Sequence, residues 1–345
     1  MSNRVLLVTG GAGFIGSNFV RYWLDRCPND RVVVLDALTY AGNPANFAML
    51  SDNPRFRFYA GRIEDSTVVN GIFRVEGITH VVNFAAESHN DRSMLEPTRL
   101  IATNVAGVSV LMEAAKAFGS ERVVHVSTDE VYGEIQTGKF KETDPLLPRQ
   151  PYSAGKAGGE MQVRAHNIAY GVPTVVTRGC NTFGPYQFPE KLIPFFITRA
   201  FQDKKVPVYG DGQQIRDWIH VLDHCEGIAI ALENGTIGEA YNIGGIVERP
   251  NIDITKIILQ TLGKGEELIK YIPDPRGKGH DQRYAVDSTK IAAIGWAPKH
   301  DFDTHLIETI HWYVNNRAWW QPILDSSDYQ TFVNRYYGPG LGSDL

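Results

Sequence analysis

The sequence has few of the features that mark a disulfide-stapled domain or a zinc protein. Its 345 residues include only three cysteines, Cys27, Cys180 and Cys225, which are odd in number, far apart and never in a C-x-x-C pair. This pattern supports neither a disulfide framework nor a zinc site. We therefore expect no metal and a reducing, cytoplasmic location.

Long apolar runs and excess charge are also scarce. No stretch approaches ~20 apolar residues, and the opening "MSNRVLLVTGG" lacks the apolar region and cleavage site of a signal peptide. The formal net charge of −5 and the pI near 6.1 argue against nonspecific binding to nucleic acid or anionic membranes. With 43% hydrophobic and 21% charged residues, the composition is that of a globular protein of one or two domains.

The first half of the chain alternates short β-branched runs with longer amphipathic stretches. The runs "RVLLVTG", "RVVVLDA", "HVVNFAA" and "RVVHVST" are typical of buried strands, and "FIGSNFVRYWLDRC" and "NVAGVSVLMEAAKAFG" are typical of helices. Further along, "PTVVTRG" and "EAYNIGG" indicate two more strands. Such βαβ units predict an α/β fold with a Rossmann-type, doubly wound parallel sheet.

Two later regions lose this alternation because proline, glycine and aromatic residues interrupt it. We therefore predict a smaller C-terminal domain that caps the substrate, formed by residues 183–220, 245–283 and 317–345. The Rossmann-type domain is predicted to comprise residues 1–182, with returning segments at about 221–244 and 284–316. The final stretch, "YYGPGLGSDL", is expected to be a frayed tail.

A glycine-rich turn joins the first predicted strand to the first predicted helix. In "TGGAGFIGS", Gly10, Gly13 and Gly16 let the backbone turn sharply and approach a pyrophosphate at the helix N-terminus. Asp36 ends the second strand, where its carboxylate can accept hydrogen bonds from an adenosine ribose and repel a 2′-phosphate. Because "DALTYAGN" offers no adjacent arginine, the motif predicts NAD rather than NADP.

A tyrosine and a lysine four residues apart form the second chemical motif. "PYSAGK" places Tyr152 and Lys156 on one face at the start of a helix. A neighbouring ammonium and a cationic nicotinamide both favour the phenolate, which can then take a proton from a sugar hydroxyl. One such pair among 15 tyrosines is a weak signal, and its place downstream of the dinucleotide turn strengthens it.

Two adjacent acids, Asp129 and Glu130, follow an apolar run in "STDEVYG". Successive side chains of a strand point to opposite faces, so the two carboxyl groups can converge only if the strand ends and the backbone turns there. A polar strand end that merely caps the next segment is the alternative to a catalytic pair.

Together with "AAESHNDRS", "GPYQFPEKLIP", "IRDW" and "YNIGG", these motifs resemble the extended short-chain dehydrogenase/reductase family, and within it the dTDP-glucose 4,6-dehydratases, over residues 4–335. The resemblance implies oxidation of a nucleotide-activated hexose at C4, elimination of water across C5 and C6, and return of the hydride to C6. It assigns Asp129 as the acid and Glu130 as the base. Thr128 is implied to contact the C4 oxygen beside Tyr152.

The same resemblance implies two sets of binding residues and a homodimer. We call the first the cofactor set: Gly10, Gly13, Phe14, Ile15, Gly16, Asp36, Ala37, Leu38, Thr39, Arg62, Ile63, Phe84, Ala85, Ala86, Ser88, Thr103, Tyr152, Lys156 and Thr182. We call the second the sugar set: Ser88, Thr128, Asn181, Lys191, Leu192, Pro207, Tyr209, Arg216, Asn251 and His280. Arg216 is the leading diphosphate ligand, because a guanidinium can grip two oxygens. Helices at about 104–118 and 153–170 are implied to pair across a two-fold axis.

The sequence also departs from the family pattern. Arg62 replaces an Asp expected near the adenine, Thr182 replaces an Asn, and Asn90 replaces a Val. The stretch "DPRGKGHDQRYA" is longer by two residues, so either Arg276 or Lys278 can meet the phosphate. These departures leave the choice between dTDP, UDP or another nucleotide, and the identity of the sugar, open.

Two alternatives remain at this point. A nucleotide-sugar C4 epimerase or a decarboxylase would share the glycines and the Tyr152–Lys156 pair, but would not use an adjacent acid and base aimed at C6 and C5. A noncatalytic NAD-sensing scaffold would share the fold alone, because a fold does not determine a function.

Overall fold

The computed structural model describes residues 3–95 and 97–345. Its strands are β1 Val5–Thr9, β2 Arg31–Asp36, β3 Phe56–Ala60, β4 His80–Asn83, β5 Arg122–Thr128, β6 Thr174–Gly179, β7 Asn181–Phe183, β8 Val206–Tyr209, β9 Ile215–His220, β10 Ala240–Ile243, β11 Val247–Pro250 and β12 Ile269–Ile272. Its α-helices are α1 Phe14–Arg26, α2 Ser66–Glu76, α3 Asn90–Leu95, α4 Pro97–Ile101, α5 Val108–Phe118, α6 Pro151–Tyr170, α7 Leu192–Phe201, α8 Val221–Asn234, α9 Asn251–Thr261, α10 Thr289–Ala292, α11 Phe302–Asn315, α12 Arg317–Leu324 and α13 Ser327–Leu341.

Seven parallel strands form the main sheet in the order β10-β6-β5-β4-β1-β2-β3. Consecutive residues of β1 alternate between its two faces. Leu6 and Val8 pack with Phe19 of α1 and Ile228 of α8, whereas Leu7 packs with residues of α2, α5 and α6. This alternation buries apolar side chains on both sides of the sheet. The predicted doubly wound parallel sheet is confirmed.

A second hydrophobic core lies beside this sheet. It joins the three-stranded sheet β11-β9-β7 and the pair β12-β8 to helices α7, α9, α11, α12 and α13. A smaller C-terminal domain is therefore present, and a cavity lies between it and the main sheet.

The structure corrects two details of the predicted organisation. Residues 284–316 were predicted to belong to the Rossmann domain, and Ile291 and Trp296 do pack in the core of the main sheet. Phe302, Leu306 and Ile310 of α11, however, are buried in the second core. Their helical spacing gives α11 an apolar face that packs on α7 and β9. The end of the chain is not a frayed tail, since Tyr337 and Leu341 of α13 are buried in the same core.

The helical run Pro97–Phe118 contains polar and charged residues, so it is consistent with the expectation that no unbroken apolar stretch approaches ~20 residues. By length and composition it is apolar enough to cross a membrane, with a mean hydropathy of 1.3. About 44% of an apolar 18-residue stretch of this run is buried inside the protein, where α5 packs against the sheet through residues such as Leu111 and Met112. The core therefore accounts for part of its apolar character, and the remainder lies on one exposed face.

Candidate active site

A long groove runs along the carboxyl ends of the central strands, where the strand order reverses between β1 and β4. Gly10 has a φ of +68°, and a Cβ atom there would lie 2.6 Å from the backbone nitrogen of Ala85. A Cβ atom at Gly16 would collide with the carbonyl oxygen of Gly10. Only glycines leave this backbone open beside the N-terminus of α1, which is what a pyrophosphate requires.

Asp36 lines the groove at the end of β2, where the sequence predicts an adenosine ribose. Its buried carboxylate accepts hydrogen bonds from the backbone nitrogens of Ala12 at 2.9 Å and Leu38 at 2.8 Å. Burial raises the pKa of Asp36, and these two N–H groups oppose that rise. The remaining lone pairs of the carboxylate suit ribose hydroxyls, so the observed cradle fits the adenosine half of NAD.

The groove brings the cofactor set together with one difference. Leu38 does not line it, because this residue donates its backbone N–H to Asp36 and packs its side chain on the core. The Thr103 hydroxyl donates to Glu64 at 2.5 Å, and the Thr182 hydroxyl donates to the carbonyl of Cys180 at 3.1 Å. The members that line the groove are Gly10, Gly13, Phe14, Ile15, Gly16, Asp36, Ala37, Thr39, Arg62, Ile63, Phe84, Ala85, Ala86, Ser88, Thr103, Tyr152, Lys156 and Thr182.

The backbone turns where β5 ends. Thr128 is the last strand residue, and Asp129–Tyr132 form a single 3₁₀ turn directly after it. The Thr128 hydroxyl accepts a hydrogen bond from the backbone nitrogen of Glu130 at 3.3 Å and lies 3.2 Å from a carboxyl oxygen of Asp129. This turn places both acidic side chains on the lining of the groove, as the sequence pattern required.

The two acids have different surroundings. Asp129 is only 2% exposed, and its Oδ2 has no hydrogen-bond partner within the described residues. Burial, followed by the charges of Glu130 and Asp217, raises the pKa of Asp129 well above its usual value. Glu130 instead accepts a 2.8 Å hydrogen bond from the side-chain amide of Asn90. Asp129 is thus suited to hold a proton, and Glu130 to accept one.

Tyr152 and Lys156 lie one turn apart on α6 and line the same groove. The Lys156 ammonium donates to the carbonyl of Val126 at 2.6 Å, and burial lowers the pKa of Lys156 to about 8. Burial and the two neighbouring carboxylates raise the pKa of Tyr152, contrary to the lowering expected from the sequence. The ammonium of Lys156 is hydrogen-bonded to Val126. Stabilising the phenolate of Tyr152 therefore requires a further cation in the groove.

A second cavity adjoins the groove between the two cores. It is lined by eight members of the sugar set, namely Asn181, Lys191, Leu192, Pro207, Tyr209, Arg216, Asn251 and His280. Ser88 and Thr128 line the groove instead. Glu130, Asn181 and Lys191 line both spaces, so the turn after β5 lies where the groove and the cavity meet.

Cationic groups converge on one imidazole in this cavity. Nδ1 of His280 donates to the carboxylate of Asp274 at 2.5 Å, which leaves Nε2 to accept from Arg216 at 2.8 Å. The guanidinium of Arg276 lies 3.5 Å from the same Nε2. Burial lowers the pKa of His280, so it remains neutral between two guanidinium groups. Of the two basic candidates, Arg276 lines the cavity, and the side chain of Lys278 lies outside the described part.

Several residues that shape this cavity were not predicted from the sequence. Asp91 accepts hydrogen bonds from Arg276 at 2.6 Å, Tyr336 at 2.8 Å and Tyr337 at 3.1 Å. Glu190 and Gln187 line both the groove and the cavity. Asp91 belongs to the motif "ESHNDRS", which the resemblance already singled out. Nothing in the local sequence connects Asp91 with tyrosines more than 240 positions away.

No cluster of three or more His, Cys, Asp or Glu side chains arranged to hold a metal ion is found within residues 3–95 and 97–345. The expectation of a metal-free site remains a prediction. All three cysteines are buried free thiols.

Comparisons with known proteins place this geometry in a family. Residues 7–309 match the model of the GDP-mannose 4,6 dehydratase family. The low-salt glycan biosynthesis protein Agl12 of Haloferax volcanii is 50% identical, with 90% of this chain and 99% of that protein covered. A dTDP-glucose 4,6-dehydratase of Streptomyces niveus is 45% identical, with 92% and 95% covered.

Solved structures give the same result. The dTDP-glucose 4,6-dehydratase DesIV of Streptomyces venezuelae, solved with NAD bound, is 47% identical and superposes with a TM-score of 0.90 over 92% of this chain and 99% of that one. A UDP-glucose 4-epimerase of Thermotoga maritima is 29% identical with a TM-score of 0.83, covering 91% and 99%. The chain belongs to the GDP-mannose 4,6 dehydratase family, within the extended short-chain dehydrogenases/reductases.

Proposed function

We propose that this protein is an NAD-dependent nucleotide-sugar 4,6-dehydratase that converts dTDP-glucose to dTDP-4-keto-6-deoxyglucose. The observation that carries the proposal is the turn after β5. It sets a buried, proton-holding Asp129 beside an amide-bonded Glu130, next to Tyr152 and at the junction of the groove and the cavity. An epimerase acting at C4 has no use for this adjacent acid and base.

Each proton transfer in the proposed reaction is assigned to a different side chain. Tyr152 takes the proton of the C4 hydroxyl, with Thr128 beside the same oxygen. Glu130 then removes the C5 proton, which the C4 ketone has made acidic, while Asp129 protonates the C6 hydroxyl as the C6–O bond breaks and water leaves. NAD, which Gly10, Asp36 and the other residues of the groove would hold, would supply the hydride acceptor for C4 and the hydride donor for C6. The proton on Glu130 returns to C5, which completes the methyl ketone product.

The choice of substrate rests on the cationic end of the cavity and on the relatives. Arg216 and Arg276 flank His280 in a buried pocket, where guanidinium forks suit a diphosphate. Relatives at 45% and 46% identity, from two species of Streptomyces, are dTDP-glucose 4,6-dehydratases. UDP-glucose and GDP-mannose are the competing substrates of the same class.

Mass analysis of the product tests this function. Purified protein is incubated with NAD and, separately, with dTDP-glucose, UDP-glucose and GDP-mannose. Loss of one water from dTDP-glucose, faster than from the other two, supports the proposal. A product of unchanged mass would indicate an epimerase. If no nucleotide-sugar is converted, the result would instead favour a noncatalytic NAD-sensing scaffold.

We also propose a cytoplasmic homodimer that pairs through α5 and α6. Large apolar side chains remain exposed on this side of the protein: Ile101 at 56%, Met161 at 47% and Ile168 at 67%. A shallow groove on the same side is lined by Ile101, Val105, Val110 and residues of α2 and α6. Exposed apolar side chains on one side of paired helices are typical of a helical interface between identical subunits.

A further inference from the structure

Asn90, the first residue of α3, lies beside the proposed catalytic base. Its side-chain nitrogen donates a 2.8 Å hydrogen bond to Oε2 of Glu130. The residue is 9% exposed and lines the substrate cavity. It thus touches a catalytic group from the side where the sugar must bind.

The orientation of the Asn90 amide follows from its partner. An ionised carboxylate only accepts hydrogen bonds, so the amide nitrogen must face Glu130 and the amide oxygen must face away. That oxygen, Oδ1, is buried and has no hydrogen-bond partner among the described residues. Buried amide oxygens are rarely left unpaired, so a donor from outside the protein is expected at this position.

We propose that Asn90 is a positioning residue of the dehydration, which holds Glu130 through Nδ2 and accepts a hydrogen bond from the C6 hydroxyl of the sugar through Oδ1. This inference rests on the proposed function. Glu130 must reach C5, so a side chain bonded to Glu130 lies near the substituents of C5. The hydroxyl at C4 faces Tyr152 and Thr128, which leaves the C6 hydroxyl as the nearby donor.

This contact would serve both proton transfers. A hydroxyl that donates its hydrogen to Oδ1 turns its lone pairs toward other partners, and Asp129 needs one of them to protonate the leaving oxygen. The amide N–H at the same time holds the carboxylate of Glu130 in place, oriented toward C5. Asn90 itself gains and loses no proton.

Asn90→Val and Asn90→Asp test the role, with Ser93→Ala as a matched control. Valine removes both hydrogen bonds, and it stands at this position in the family pattern. Aspartate keeps the side-chain shape and the accepting Oδ1, but a second carboxyl oxygen replaces the Nδ2 that donates to Glu130. Ser93 donates to the backbone carbonyl of Asn90 at 2.6 Å, so Ser93→Ala loosens the same turn without touching Glu130.

The rates are measured at saturating NAD with dTDP-glucose and with its 6-deoxy-6-fluoro analogue, whose fluorine cannot donate a hydrogen bond. We expect kcat of Asn90→Val to fall about 10- to 100-fold with dTDP-glucose and only a few-fold with the analogue. The acid limb of its pH–rate profile moves to higher pH, and that of Asn90→Asp moves further. Ser93→Ala keeps the wild-type rate and profile.

Three results would overturn the inference. Unchanged kcat and pH profile in Asn90→Val would exclude any role in catalysis. An equal fall with both substrates would exclude the C6 hydroxyl as the partner of Oδ1. A fall shared by Ser93→Ala would mean that the turn, and not the amide, matters. If the wild-type protein removes no water from dTDP-glucose, the proposed function fails and this role fails with it.

Discussion

Asp91, which is buried, forms an ion pair with the partly buried Arg276, with Nε of the arginine 2.6 Å from Oδ1 of the aspartate. The aspartate belongs to α3, and the arginine lies in the loop after β12, so the pair joins two distant parts of the chain. Tyr336 and Tyr337 of α13 donate to the same carboxylate. Burial acts to raise the pKa of Asp91, but Arg276, His89 and Tyr336 lower it below the usual value. The carboxylate is therefore a charged anchor between the substrate cavity and the C-terminal helix.

Asp91→Asn should lower the free energy of unfolding by about 3 kcal/mol, because it leaves the partly buried guanidinium of Arg276 without its counter-charge. Asp328→Asn is the matched control, since Asp328 pairs with Arg92 at 3.0 Å but its side chain is 63% exposed. The control should cost at most about 1 kcal/mol. Urea unfolding of both variants checks this, and equal losses would show that Asp91 is no anchor.

Glu190 makes the free energy of unfolding depend on pH. Burial raises the pKa of Glu190 from 4.5 to about 7, although Arg92 lies 2.9 Å away and opposes the rise. Between these values the folded protein binds a proton that the unfolded chain has released, so this group makes stability fall as pH rises from 4.5 to about 7.

Glu190→Gln should remove that part of the pH dependence. At one unit of pKa per 1.36 kcal/mol, the loss between pH 4.5 and pH 7 is on the order of 3 kcal/mol. Urea unfolding of wild type and variant at a series of pH values, with NAD held constant, measures the difference between the two slopes. Parallel curves would mean that Glu190 is ionised throughout.

Periodicity and glycine spacing predicted the parts of the fold that depend on local sequence. The strands of the main sheet coincide with β-branched runs in the sequence. The glycine-rich turn after β1 requires Gly10 and Gly16, because no larger residue fits at either position. The helix α13 was missed because glycine and proline in "YYGPGL" suggest a chain end, whereas Tyr337 and Leu341 are held by tertiary packing. Local propensity cannot reveal a segment whose stability comes from the core it covers.

The same distinction applies to the site. The turn after β5 could be predicted from the adjacency of Asp129 and Glu130, because only a bend brings neighbouring side chains together. The contact between Asn90 and Glu130 joins residues 40 positions apart, and no spacing rule predicts it. The raised pKa of Tyr152 also depends on charges placed by the fold, which a motif does not contain.

Asp36→Ala should weaken NAD binding and relax the exclusion of NADP, because it removes the acceptor for the ribose hydroxyls and the charge that repels a 2′-phosphate. It also leaves the backbone nitrogens of Ala12 and Leu38 without their acceptor. Asp36→Asn is therefore the matched control, since it keeps an acceptor oxygen for one of them while removing the charge. Calorimetry with both cofactors measures the change. Unchanged NAD affinity in Asp36→Ala would show that another residue binds the ribose.

Ile168→Glu combined with Met161→Glu should convert the proposed homodimer to a monomer, because both side chains are exposed on α6 in the single chain. A charge there would have to be buried in the interface without a partner. Ile237→Glu is the control, as Ile237 is 48% exposed outside α5 and α6. Light scattering at micromolar concentration distinguishes the two masses. A monomeric wild type would contradict the dimer and leave the catalytic proposal standing.

The proposed division of labour between Asp129 and Glu130 predicts opposite responses to the leaving group. Asp129→Asn should still oxidise C4 but lose water slowly, and the 6-deoxy-6-fluoro substrate should restore much of its rate, because fluoride departs with less need of a proton. Glu130→Gln should be slow with both substrates, since no leaving group supplies the missing base. General acid or base catalysis is worth about 10²–10⁴-fold, so rapid-quench analysis of C4 oxidation and of water or fluoride release can resolve the contrast. Rescue of Glu130→Gln but not of Asp129→Asn would reverse the two roles. Equal rescue of both would mean that the carboxyl pair shares one proton and acts as a coupled unit.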